Sequence, residues 1–213
     1  MFKRPLPFLL LAFALSVSAP ASAGAEISSE QVRAFINGMA DTAVSSLTVK
    51  EIAREERKDR FRKLIHDYFA IKSIGQWVLG LHWRRATPEQ RQEYMRLFEN
   101  MLLERYVDGF KDYSGETLDV GQAEKRSEND YIVHTQLKKP GGTEPVAVSW
   151  RVGVAEKDGK PVFKVVDIIV NGLSMSLTQQ KEFYSVIKNN GNSVEALLDK
   201  MREMAKPATA KAG

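Results

Sequence analysis

The chain has no cysteine. That removes disulfides, thiolate nucleophiles and thiolate metal ligands together. It has three histidines, His66, His82 and His134, and no two stand at a metal-ligating spacing. No metal site is therefore expected. A glycine-rich phosphate loop is missing too, since Pro140-Gly141-Gly142 runs into a strand pattern and reads as a turn. Gly172-Leu173-Ser174-Met175 lacks the second glycine of a nucleophile elbow. With no catalytic constellation and no cofactor motif, the residues favour holding something over converting it. Charge of one sign is scarce as well: the net charge is +4, and Arg54-Glu55-Glu56-Arg57-Lys58-Asp59-Arg60 interleaves both signs. Such a run reads as a solvated helix face with i,i+4 pairs. Without a basic stripe, nucleic acid is excluded as a partner.

What is present begins with a leader. Lys3 and Arg4 precede an apolar run, Phe8 to Val17, which is too short to span a bilayer. Ala21-Ser22-Ala23 follows, so residues 1–23 read as a secretory signal peptide cut after Ala23, with Ala25 as the alternative. No cysteine follows to carry a lipoprotein anchor. The remaining chain suits one domain, taken as 24–204. An exported domain without disulfides must be held by packing. Ala205 to Gly213 is small, polar and unpatterned, and is expected to be a disordered tail.

Between these ends the period of the apolar residues changes twice. From about 28 to 113 it is helical. Ser28-Ser29-Glu30-Gln31 and Thr48-Val49-Lys50-Glu51 read as capping boxes, and Gly80 as a helix-ending glycine. Thr87-Pro88-Glu89-Gln90 opens a helix expected to run to Tyr113-Ser114-Gly115. From about 116 to 171 the period is two. Tyr131, Val133, Thr135 and Leu137 alternate, as do Val146, Val148, Trp150, Val152 and Val154, and Asp158-Gly159 turns the chain into Val162 to Val170. From about 176 to 204 it is helical again, with Ser176 and Ser193 as expected caps. The pattern predicts an α+β fold: an antiparallel, curved sheet of four to five strands with helices packed on one face.

Several pieces, in order and spacing, resemble one family. They are Leu79-Gly80, Trp83-Arg84, Ala86-Thr87-Pro88-Glu89-Gln90-Arg91, Phe98, Tyr106, Tyr113-Ser114-Gly115, Pro145 to Arg151, and Asn171-Gly172-Leu173-Ser174-Met175. Together they are similar to the MlaC-type periplasmic phospholipid-binding proteins, also called the toluene-tolerance family. Hopanoid-associated members are close relatives. Ala70 and Asn171 depart from the acidic residues usual in that family at those places. The resemblance implies an NTF2-like roll with a helical subdomain. It also implies a monomeric periplasmic carrier whose apolar cavity holds the acyl chains of phospholipid, or a hopanoid. Its implied partners are a lipoprotein-porin complex at the outer membrane and an ABC transporter complex at the inner membrane.

On that reading the lipid-binding candidates are Phe98, Leu102, Tyr106 and Phe110 on the helical side, and Val133, Val148, Trp150, Val152, Val166 and Ile168 on the sheet. Leu173 and Met175 complete the set. Exposed basic residues Arg84, Arg85, Arg91, Lys138 and Lys139 are the partner-binding candidates. One enzymatic alternative remains, a lipid-modifying site built from Asp167, Tyr106 and Tyr113. It requires Asp167 to face the cavity, whereas the strand phase turns it away. The signal-peptide reading is checked by N-terminal sequencing of exported protein. The mature chain should begin at Gly24, and an intact leader on the exported form would overturn it.

Overall fold

The structure is a computed structural model and describes residues 27–142 and 144–205. The expected signal peptide and tail residues 206–213 lie outside the described residues. Helix α1 spans Ser29–Leu47, α2 Arg54–Tyr68, α3 Ile71–Leu79, α4 Leu81–Arg85 and α5 Pro88–Tyr106, followed by a 3-10 turn at Val107–Phe110. Five strands follow: β1 Thr117–Ser127, β2 Asp130–Lys138, β3 Val146–Lys157, β4 Lys160–Val170 and the short β5 Leu173–Ser174. Helices α6, Met175–Asn189, and α7, Val194–Met204, close the chain. The strands pair antiparallel in chain order, β1 to β5, as a meander.

Local chemistry starts most of the helices. Ser28 Oγ accepts from Gln31 N at 3.2 Å while Gln31 Oε1 accepts from Ser28 N at 2.9 Å. Thr87 and Gln90 repeat the arrangement at α5, with Pro88 in the first turn. Gly80, at φ +58°, ends α3 in a conformation that suits glycine. Two expected caps move. Thr48 ends α1 instead of starting α2, and Ala53 precedes α2 with no side-chain cap. The cause is long-range: the buried Arg57 donates from Nε to Leu47 O at 2.9 Å and from Nη2 to Val49 O at 2.7 Å. Those carbonyls hold residues 47–49 as the end of α1. At α6 the cap is Ser174, whose Oγ accepts from Leu177 N at 3.0 Å, and not Ser176. Helix α5 also stops at Tyr106, before the expected Tyr113, and tightens into the 3-10 turn containing Gly109. A glycine inside a helix costs about 1 kcal/mol relative to alanine.

The charged run on α2 is more than a solvated face. Arg60 pairs with Glu56 along the helix. Arg54 reaches Glu104 at 2.8 Å and Asp108 at 2.9 Å, Lys58 pairs with Glu104, and Arg62 reaches Glu99 at 3.2 Å. These pairs fasten α2 to α5 and its 3-10 turn. Lys58, and then Arg54, hold the Glu104 carboxyl below its usual range. Arg202 does the same work between α7 and α5, bonding Glu93 at 2.6 Å.

Apolar packing divides into three adjoining clusters. Val32, Ile36 and Met39 of α1 pack on Tyr131, Val133, Val152, Val154 and Val165 of the sheet. Leu47, Phe61, Leu64, Ile65, Ile71, Leu103 and Val107 form a second cluster around α2. Tyr94, Leu97 and Phe98 pack with Phe183, Ile187, Leu197 and Leu198 in a third, wholly helical one. Ala70 N donates to Val165 O at 2.9 Å, and Lys164 Nζ donates to the carbonyls of His66 and Asp67 at 2.8 and 2.6 Å. The α2–α3 junction is thereby tied to β4.

Two outcomes follow. Arg57→Ala strands the buried Leu47 carbonyl and frees that of the exposed Val49, and should lower unfolding free energy by about 1–3 kcal/mol; an unchanged urea midpoint would refute this. Glu104 has its folded pKa below its unfolded one. Its contribution is therefore complete above the unfolded value, about 4.3, and is lost as pH falls through the lower folded value. Glu104→Gln should lower stability at neutral pH and flatten the acid limb of a stability–pH curve.

Candidate functional site

The inner face of the sheet is set by register. Tyr131 faces Val152, Val133 faces Trp150, Thr135 faces Val148 and Leu137 faces Val146. On the other side of β3, Val148 faces Val170 and Trp150 faces Ile168, while Val152 faces Val165. The count slips by one between the last two pairs, so β4 carries a bulge. A strand slip changes which face a side chain takes. Val166 is accordingly not in phase with Ile168 as expected. Its Cγ1 lies 3.1 Å from where a Cβ on outward-facing Gly153 would be. The outer face is polar, with His134 against Ser149 at 3.0 Å and Arg151 against Asp130 at 2.9 Å.

Helix α1 covers the rows through Val152 and Val133, which are fully buried. Trp150 and Ile168 are only half-buried at the margin of that cluster, as are Phe35, Tyr68, Phe69 and Phe163. Met95 and Leu102 of α5 are half-buried where the two helical clusters meet. Tyr68 and Phe69 belong to both the sheet cluster and the α2 cluster. The half-buried apolar side chains at the margin of the sheet cluster, which Tyr68 and Phe69 share with the α2 cluster, form a seam. Its aromatic wall is Phe35, 5.5 Å from Tyr68 and 5.7 Å from Phe163 by ring centroid. Polar atoms on this face are satisfied within it. Trp150 Nε1 donates to Thr135 Oγ1 at 3.0 Å, and Thr135 Oγ1 donates to Val148 O at 2.7 Å.

The lipid-binding candidates do not converge on one wall. Trp150 and Ile168 lie on the seam, with Val148 in the row beside them, while Leu102 is half-buried between the two helical clusters. Val133 and Val152 sit beneath α1. Phe98 faces Tyr94 and Phe183 inside the helical cluster, not the sheet. Phe110 packs on Phe61, with centroids 5.2 Å apart. Tyr106 and Leu173 are 44% and 64% exposed, and Met175 begins α6 half-buried. Phe35, Tyr68, Phe69, Phe163 and Met95 were not among the lipid-binding candidates, and Phe163 reaches the inner face only because the β4 bulge reverses its phase relative to Ile168. Two open surface grooves, of about 490 and 500 Å³, lie elsewhere, on α1–β1 and α6–α7, and no candidate residue lines them. The expected apolar cavity is neither of these.

The remaining candidates divide as clearly. Asp167 accepts from Ser174 Oγ at 2.5 Å, Ile168 N at 2.9 Å and Ser176 N at 3.0 Å. It pairs across to Arg151 on the outer side and anchors the start of α6. That placement puts Asp167 on the strand phase opposite Ile168 and commits its oxygens to the α6 start, while the Tyr113 hydroxyl donates to Glu116 O at 2.9 Å. Arg91 is a local clamp: it donates to Trp83 O at 2.7 Å and Arg84 O at 3.1 Å, and lies 5.5 Å over the Trp83 ring. Lys138 pairs with Asp119, while Arg84, Arg85 and Lys139 are exposed. Among the described residues no three metal-ligating side chains converge. His66 faces Glu99 at 3.1 Å and, with Asp67 paired to Lys63, forms no pair with its neighbour. His82 is buried against Tyr184, and burial, then Arg85, pushes its pKa down. If Asp167 is structural, Asp167→Asn should cost about 1–2 kcal/mol by loosening the β4–α6 joint. It should leave the lipid content of the folded protein unchanged, as read by denaturation and lipid extraction.

Known proteins share this architecture. A phospholipid-binding protein from Ralstonia solanacearum, solved in complex with a phospholipid, superposes with a TM-score of 0.69 at 24% identity, covering 81% of this chain and 96% of that one. The intermembrane phospholipid transport system binding protein MlaC of Haemophilus influenzae is 22% identical over 207 residues, 94% of this chain and 91% of its own. The toluene tolerance protein ttg2D of Pseudomonas putida is 24% identical over 142 residues, 66% of this chain and 64% of its own. The family model described as MlaC protein matches residues 26–203, and the chain belongs to that family.

Proposed function

We propose that the protein is a periplasmic carrier that binds phospholipid by its acyl chains along the seam between sheet and helices. The observation that carries this reading is the apolar inner face around Trp150 and Ile168, left half-buried at the margin of the sheet cluster. A single sealed core would bury those side chains against one another. Here the sheet and α2 clusters each have their own buried residues, so the seam widens without either cluster unfolding. Acyl burial is worth about 0.8 kcal/mol per methylene. An apolar slot matches the bilayer interior, so transfer between the two is near neutral, and loading and release are both accessible. The phospholipid named with the Ralstonia relative and the transport system named with the Haemophilus relative support the same assignment.

The carrier works as a monomer, delivered by its leader, between a lipid-transferring complex at the outer membrane and an ABC transporter complex at the inner one. Arg84, Arg85 and Lys139 are its exposed basic docking residues. Among the described residues no helix is long and apolar enough to cross a membrane.

Protein purified from the periplasm should release phospholipid on organic extraction, read by mass spectrometry. Terpenoid species in place of acyl lipids would assign the hopanoid cargo, and extracts free of lipid would sink the proposal. Trp150→Ala should lower lipid per folded protein severalfold. Val152→Ala, beneath α1, should cost roughly 2 kcal/mol of stability and leave loading of the folded fraction unchanged. Equal effects of the two variants on loading would place the site elsewhere.

A further inference from the structure

Helices α3, α4 and α6 share an exposed surface that the seam does not use. Large apolar side chains stand open on it: Trp77 is 49% exposed, Leu81 70%, Leu177 40% and Tyr184 51%. They are neighbours in space. Gln180 Nε2 donates to Trp77 O at 2.7 Å, joining α6 to α3. The His82 and Tyr184 rings are 6.0 Å apart, joining α6 to α4. Along α6, Leu177, Lys181, Tyr184 and Lys188 recur at steps of four, three and four, so they share one helix face. Lys188 Nζ lies 5.9 Å over the Tyr184 ring. On α4, Arg84 and Arg85 follow Leu81 by three and four positions.

The charges on this face are of one sign. Lys181, Arg84 and Arg85 form no ion pair among the described residues, while Arg54, Arg60 and Arg62 of α2 and Arg202 of α7 are paired with carboxylates. Glu182 lies on the other side of α6 and accepts from Gln179 Nε2 at 2.9 Å. Glu89 lies beyond α4, in the first turn of α5. An exposed Trp, Tyr and two Leu ringed by unpaired Lys and Arg match the interface of an anionic bilayer. Rings settle at headgroup level there, and long basic side chains reach the phosphates while their stems cover apolar surface. Protein interfaces share the enrichment in Trp, Tyr and Arg but are depleted in lysine, which supplies two of the four cations here.

We propose that this face binds anionic phospholipid membrane surfaces directly, independently of the cargo seam. The binding is peripheral and reversible, since it combines four shallow apolar anchors with a few basic residues. Each basic residue near an anionic surface strengthens binding by about fivefold.

The test is flotation of the purified mature protein with vesicles of phosphatidylethanolamine and phosphatidylglycerol, against vesicles of phosphatidylcholine alone, at low and high salt. The wild type should float with the anionic vesicles, and salt should weaken it. Brominated acyl chains in those vesicles should quench tryptophan emission, and Trp77→Phe should remove most of that quenching. Lys181→Glu with Lys188→Glu should weaken flotation by at least about 25-fold. Leu81→Asp with Tyr184→Asp should abolish it, and both double variants alter exposed positions, so unchanged circular dichroism and melting serve as the folding control. Trp150→Ala should float like the wild type, which separates this surface from the cargo site. No flotation of the wild type on anionic vesicles at low salt, or equal flotation of all variants, overturns the proposal. So does loss of a complex with a protein partner, or of a dimer, in the double variants while flotation is retained, since the face would then be a protein interface.

Discussion

One main-chain hydrogen bond sets the geometry of everything around the seam: Ala70 N to Val165 O, at the end of α2 and the middle of β4. Lys164 reinforces it from the next position by taking the last carbonyls of α2. These groups would otherwise be orphans at a helix terminus. Satisfying them with a strand residue gives the α2–α3 junction a firm attachment to the sheet, and Asp167 gives α6 a second. Around these attachments the apolar residues segregate into three clusters that share only half-buried residues, Tyr68, Phe69, Met95 and Leu102, at their edges.

The elements legible in the sequence are those whose causes are local. Ser28, Thr87 and Ser193 cap the helices they precede, because each hydroxyl finds its partner three residues away. Thr48 and Ser176 carry equally good local patterns and are overruled. Arg57, ten residues beyond Leu47, decides where α1 ends. Asp167, on another element, fixes Ser174 and Ser176 at the start of α6. The strand phases hold along β2 and β3 and fail at Val166, because a bulge is chosen by the pairing of two strands and leaves no trace in the alternation of one.

The candidate site was legible in the same uneven way. Alternation correctly places Trp150 and Ile168 on the inner face. A helical stripe, however, states only that a face is buried, not what it is buried against. Phe98 therefore falls into the helical cluster with Tyr94 and Phe183, and Phe110 onto Phe61. The aromatic wall of Phe35, Tyr68 and Phe163 is assembled from three distant elements, which no periodicity reports. At position 171 the departure from an acidic residue has a backbone reason. Asn171 and Gly172 both adopt positive φ, +47° and +82°, between β4 and β5. Asparagine tolerates that conformation better than most residues with a side chain.

The bond between Trp150 and Thr135 has a further consequence. With the indole N–H committed to the threonine oxygen, and that hydroxyl committed to Val148 O, the polar atoms at the centre of the inner face cancel one another. Whatever lies against that surface meets carbon and no open donor or acceptor. Such a wall reads the girth and curvature of a guest and is blind to its functional groups, so the two ends of a bound molecule would be told apart only by which of them stays in water.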